Sequence, residues 1–292
     1  MATLFKCKSV PVAQFVRRRK VATALAMSVF AATAGTTSAK AADPWPAEVR
    51  AVYKIQFNGF EIGQFAFNSS VHERTYAVTA NADISALLGV VRWNGVTRVS
   101  GALAGNAPRP AGFSFDYQGS SKAGSLRMGF SNGGITSLEQ TPALVESPDT
   151  VPLQPAHMRG VLDPLSAILA LSRPRDGNPC NQKVPVFDGK VRFDLTFSFK
   201  EDAPIGEAQR GAAVEMVRVC RVRVLPIAGH RDDEASAQLK RSMGIEVAFR
   251  AIPSAKLFVP HRITVPTFAG AAVLTSHSVH IRTQNEQIAL VN

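Results

Sequence analysis

The segment Cys180–Leu195, CNQKVPVFDGKVRFDL, sets a thiol near two carboxylates, Asp188 and Asp194. A cysteine nucleophile with an acid–base partner would use those residue types. The surrounding pattern argues for scaffold instead. Asp188-Gly189 stands between two apolar runs and reads as a hairpin turn, with both residues at positive φ. Beyond it Val191, Phe193, Leu195, Phe197 and Phe199 alternate with Arg192, Asp194, Thr196, Ser198 and Lys200. That period of two assigns Asp194 to the outer face of a strand. A redox cysteine needs a close partner, as in C-x-x-C, and the sequence has none.

Other candidates fail on spacing. Gly119-Ser120-Ser121-Lys122-Ala123-Gly124 is not a nucleophile elbow, and neither a P-loop nor G-x-G-x-x-G occurs. The histidines are scattered at 72, 157, 230, 261, 277 and 280. His277 and His280, three apart on a predicted strand, are expected on opposite faces. His230-Arg231-Asp232-Asp233-Glu234 lacks the spaced oxygens and glycine of a calcium loop. No catalytic residue, metal site or cofactor is therefore assigned. A hydrolase would require the fold to gather polar groups from distant segments.

The first 41 residues have the parts of a secretory signal: Lys6, Lys8 and Arg17 to Lys20, an apolar run Val21–Ala34, and Ala39-Lys40-Ala41. The run is about 14 residues, short of the ~20 that span a bilayer. Residues 1–41 are read as a cleaved signal peptide and 42–292 as one β-rich periplasmic domain with no stable membrane span. The signal segment holds seven of the 33 basic and none of the 22 acidic residues, which leaves 26 against 22, a net +4. That removes the case for a nucleic-acid partner. Cys7 lies in the same segment, so Cys180 and Cys220 remain and are expected to pair.

Alternating segments recur along the rest. In VRAVYKIQF (49–57), Val49, Ala51, Tyr53, Ile55 and Phe57 share one face. Asn58-Gly59 then reads as a two-residue hairpin turn into a strand over 60–72. Further strands are predicted over 74–82, 93–103, 111–118, 123–131, 134–139, 213–227, 243–252, 256–269 and 272–284. Residues 84–91 are assigned a short helical turn. A passage with Pro142, Pro148, Pro152 and Pro155 leads to LDPLSAILALS, where Asp163 fits an N-cap and Pro164 the first helical position. The helix is expected over 163–172, joining halves 42–140 and 176–292. The fold class is all-β and mainly antiparallel: a curled meander or incomplete β-barrel with one short apolar helix at or in its mouth. Seventeen Phe and three Tyr, mostly in alternating segments, make its inner face apolar. Barrels of this size fill with side chains or hold one small ligand. Leu165, Ile168, Phe193, Leu195 and Phe197 are the candidate cavity residues.

The pieces YKIQFNGFEIGQF (53–65), VLDPLSAILAL (161–171), Cys180 with VFDGKVRFDL (186–195), and LFVPHRITVPT (257–267) resemble, in that order, a family of exported bacterial proteins known as a domain of unknown function. The resemblance implies a β-rich, barrel-like envelope protein, distantly similar in shape to the carriers that move lipoproteins across the periplasm. It brings no catalytic residue with it. Two readings stand: a non-enzymatic binder or carrier of a lipid or acyl chain, or a structural module of the envelope with a protein partner.

Overall fold

A computed structural model describes residues 44–86, 89–144, 148–206, 214–231, 244–267 and 269–291. Strands β1 (Glu48–Phe57), β2 (Phe60–His72), β3 (Thr75–Ala86), β4 (Val91–Ala104), β5 (Ala107–Gly119), β6 (Ala123–Ser131) and β7 (Gly134–Thr141) form an antiparallel meander. After the Pro-rich passage come the helix α1 (Pro164–Ser172) and a second meander. Its strands are β8 (Lys183–Phe187), β9 (Arg192–Pro204), β10 (Met216–Ala228), β11 (Ile245–Ile252), β12 (Leu257–Thr267) and β13 (Gly270–Arg282). A last strand, β14 (Gln287–Val291), pairs with β13.

The two meanders join through their inner strands. β1 pairs with β13 from Glu48↔Arg282 to Phe57↔Ala272, giving one sheet in the order β7-β6-β5-β4-β3-β2-β1-β13-β12-β11-β10-β9-β8. The sheet curls but does not close. Its two outer edges are bridged by one segment of the crossover. Gly160 N–H donates to Gly133 O (2.7 Å) beside β7. Leu162 N–H donates to Pro185 O, and Leu162 O accepts from Phe187 N–H, both at 2.9 Å, on β8. The β8–β9 turn then packs on Leu126 of β6, because a Cβ on Gly189 would lie 2.3 Å from Leu126 Cδ2.

The helix forms as its sequence directs. Asp163 Oδ1 accepts from Leu165 N–H (3.0 Å) and Ser166 N–H (2.9 Å), with Pro164 in the first turn. PLSAILALS carries no charge, and none of its residues is exposed. A helix apolar all round belongs in an interior, and α1 lies within the curl. Leu165 and Leu169 pack with Val78, Val99, Phe113 and Met128 of the first meander, and with Leu257, Val259, Val279 and Ile281 of the second. A smaller core surrounds the Cys180–Cys220 disulfide, with Phe197, Val222, Val247 and Phe249.

Three local expectations are corrected. Ile84–Ala86 complete β3 and are not helical, and residues 87–88 lie outside the described part. Asp188 does not take positive φ; its carboxylate accepts from Lys190 N–H (2.9 Å) and Val191 N–H (2.7 Å), and Gly189 alone is at +100°. Four residues, not two, separate the paired Phe187 and Arg192. Asp194 is buried rather than solvated, because Lys183 (2.9 Å) and Arg192 (2.6 Å) pair with it.

Candidate functional site

β12 and β13 run side by side only from Arg262↔Thr275 to Thr267↔Gly270. Beyond that point they part. Leu257–Pro260 pair with β11, while Ser278–Arg282 turn their edge to β14. His261 marks the vertex. The β11–β12 register passes from Ala248↔Arg262 to Phe249↔Pro260 and skips it, and its Nδ1 lies 3.3 Å from Ser276 Oγ. Burial and the neighbouring Arg250 charge hold the His261 imidazole below its ordinary pKa, so it favours the neutral form.

An apolar cleft of about 100 Å³ opens beside this fork, beneath α1. Tyr53 of β1 and Phe65 and Phe67 of β2 form its floor, with Tyr53 and Phe65 ring centroids 6.1 Å apart. Leu257–Pro260 of β12 form one wall, and Ile168, Leu169 and Trp45 cover it. The polar side chains of the lining are few: Ser69, Ser172 and the Tyr53 hydroxyl, which burial pushes to a higher pKa. Trp45 is fixed from both sides. Its Nε1–H donates to Gly105 O (3.1 Å), and the Arg173 guanidinium lies over its ring, 5.1 Å from the centroid.

Of the five residues that the sequence singles out for a cavity, the fold brings Ile168 into this lining. Leu165 points into the main core; Phe193 and Leu195 pack on Ala167, Val184 and Val186; Phe197 belongs to the disulfide cluster. The inner face of β1, with Ala51 and Tyr53, is legible in the alternation of residues 49–57. Trp45 precedes every strand and carries no periodic signal, and the β12 wall depends on where that strand leaves its neighbour.

A second, polar cleft of about 770 Å³ lies at the seam bridged by residues 160–162. Arg109, Arg173, Arg175 and Lys183 line it, with Asp176 as the carboxylate of the lining.

The histidines do not assemble into a catalytic group. His72 is exposed and His157 half-buried, and His230 is buried near the bridge Thr150↔Arg231. His277 and His280 are both exposed while Ser276, Val279 and Ile281 are buried. The β1–β13 register steps from Val52↔Ser278 to Tyr53↔Ser276, and this bulge breaks the alternation that would have set the two rings on opposite faces. Asp232 to Glu234 lie outside the described residues. Among the described residues no group of three or more His, Cys, Asp or Glu gathers as a metal site, and no helix is long and apolar enough to cross a membrane.

The fold has a counterpart among solved structures. A β-barrel-like protein of the domain of unknown function DUF1849 from Brucella abortus superposes with a TM-score of 0.51. The match covers 82% of this chain and 99% of that one at 9% identity, a likeness of fold alone. No curated protein matches the sequence. The family model described as a protein of unknown function, DUF3108, matches residues 52–277, from the first strand of the sheet to the bulge of β13, and the chain belongs to that family.

Proposed function

We propose that the protein is an exported, non-enzymatic binder of a hydrophobic ligand, a lipid or an acyl chain, working in the periplasm. The apolar cleft beside the β12–β13 fork carries this reading. It is a concave space walled by aromatic and aliphatic side chains from β1, β2, α1, β12 and β13, the usual form of a site for an apolar molecule. Its volume, about 100 Å³, is below the ~150 Å³ of a dry cavity that holds benzene. The cleft therefore seats one short alkyl segment as it stands, and a longer chain widens it by moving α1. The fork favours such widening, because Leu257–Pro260 are not tied to β13. The Cys180–Cys220 bond agrees with an oxidising compartment, and the signal-like first 41 residues supply the route there.

Native mass spectrometry of protein purified from the periplasm, with lipid extraction alongside, tests the reading. A co-purifying lipid near one-to-one, and uptake of a fluorescent fatty acid that Ile168→Trp reduces by about tenfold or more, are expected. A bare mass together with no uptake overturns it.

A second reading, a structural module of the envelope with a protein partner, draws on Phe60 and Val90. They are 77% and 74% exposed on neighbouring turns at one end of the sheet. Stoichiometric capture of an envelope protein, lost in Phe60→Ser with Val90→Ser, is its expected outcome.

A further inference from the structure

The polar cleft at the seam is lined by four cationic side chains and one carboxylate among the described residues. Asp176 is occupied by its own loop, accepting from Asn178 N–H (3.0 Å) and Asn181 Nδ2–H (2.7 Å). Lys183 is offset by Asp194 (2.9 Å). Arg109 and Arg175 are exposed and have no carboxylate partner among the described residues. Arg173 is different: it is buried, 5% exposed, and one of its Nη1–H groups donates to Pro44 O at 3.2 Å.

Arg173 also links this cleft to the apolar one. Its guanidinium lies over Trp45, which walls the apolar cleft, so one stacked pair divides the two spaces. The last turn of α1 is divided the same way. Leu169 and Ser172 face the apolar side, and Ala170 borders the basic side with Arg173 just beyond it. A basic space and an apolar space that share a wall one stacked pair thick match a molecule with one charged and one apolar end.

We infer that the ligand is an amphiphile with a phosphate-bearing head. The head lies in the seam cleft against Arg109, Arg175 and Arg173. The tail passes Trp45 into the apolar cleft. Guanidinium groups suit this head because their planar fork gives two parallel N–H donors to phosphate oxygens, and the exposed charges of Arg109 and Arg175 draw anions in. This inference rests on the apolar cleft being a ligand site.

Trp45 reports on both spaces. The chain has two tryptophans, at 45 and 93, so Trp93→Phe leaves Trp45 as the single emitter. That variant is titrated with lauroyl lysophosphatidate, with neutral monolaurin of the same tail, and with glycerol 3-phosphate. Calorimetry on the unsubstituted protein repeats the series, so the result does not depend on the Trp93 variant. Lysophosphatidate is expected to bind about tenfold or more tighter than monolaurin. Arg109→Gln with Arg175→Gln is expected to erase that difference and leave monolaurin unchanged. Equal affinity for the two amphiphiles overturns the phosphate head while sparing the hydrophobic ligand. Binding of neither overturns both. Glycerol 3-phosphate binding as tightly as lysophosphatidate makes the cleft a site for free phosphate esters and overturns the amphiphile.

Discussion

Asp163 is wholly buried, and its two oxygens are unequally served. Oδ1 caps α1 through the amides of Leu165 and Ser166, while Oδ2 has no hydrogen-bond partner among the described residues. Close by, the Tyr76 hydroxyl meets Ser166 Oγ at 2.7 Å. Burial outweighs the capping bonds and raises the Asp163 pKa above its ordinary 3.8. The folded state thus prefers the protonated acid. Its contribution to stability is complete below 3.8 and is lost as pH rises through the raised value. Asp163→Asn keeps a capping oxygen and removes the charge. Its unfolding midpoint in urea should gain on the wild type between about pH 3 and pH 7; a gap constant with pH would show that the carboxylate is not strained by burial. Gly189 is a second point of dependence. With φ at +100° and Leu126 in van der Waals contact, Gly189→Ala meets both backbone strain and a clash. We expect a loss of roughly 1–3 kcal/mol in chemical denaturation, and Leu126→Ala in the same chain should relieve the steric part.

The hairpins and the helix were the elements most open to reading from sequence, because each is set by neighbours in the chain. Asn58-Gly59 has both residues at positive φ, 48° and 87°, as the dipeptide demands. Asp163-Pro164 starts α1 where an N-cap and a ring-locked first residue should. Asp188-Gly189 misled by one step: the turn was right, but the aspartate side chain serves it from outside the left-handed region. The bulges at His261 and His277 were not legible, since a skipped residue is a property of two strands together. For the same reason the cleft lining stayed hidden apart from Ile168 and the inner face of β1. The disulfide ties the approach to β8 to the middle of β10 across 40 residues, with Cα atoms 5.2 Å apart. Loop-closure entropy puts its contribution at about 4 kcal/mol as an upper figure. Reductant should lower the urea midpoint accordingly, and amide exchange should rise first in β8, β9 and β10. Uniform acceleration across β1 to β7 as well would mean that the smaller core has no stability of its own.

For the molecule as a whole, the seam is the weak line. Three hydrogen bonds through Gly160 and Leu162 join the outer edges, whereas the inner pair β1 and β13 is held by a ladder of ten paired residues. The amides of Gly160, Leu162 and Phe187 should exchange well before those of Ala51, Tyr53 and Val279 in a hydrogen-exchange time course. Equal protection would mean that the curl opens only with global unfolding. The centre of the sheet has the opposite character, because it joins strands far apart in the chain: Glu48 pairs with Arg282. During synthesis the first meander waits with the edge of β1 bare until the residues through β13 have been made. At the usual 5–20 residues per second that wait is on the order of ten seconds or more. A bare edge invites a strand from another chain. The β13 of a neighbour would fit as well as its own, so the arrangement that makes the centre firm also makes crowded, half-made chains prone to exchange their ends.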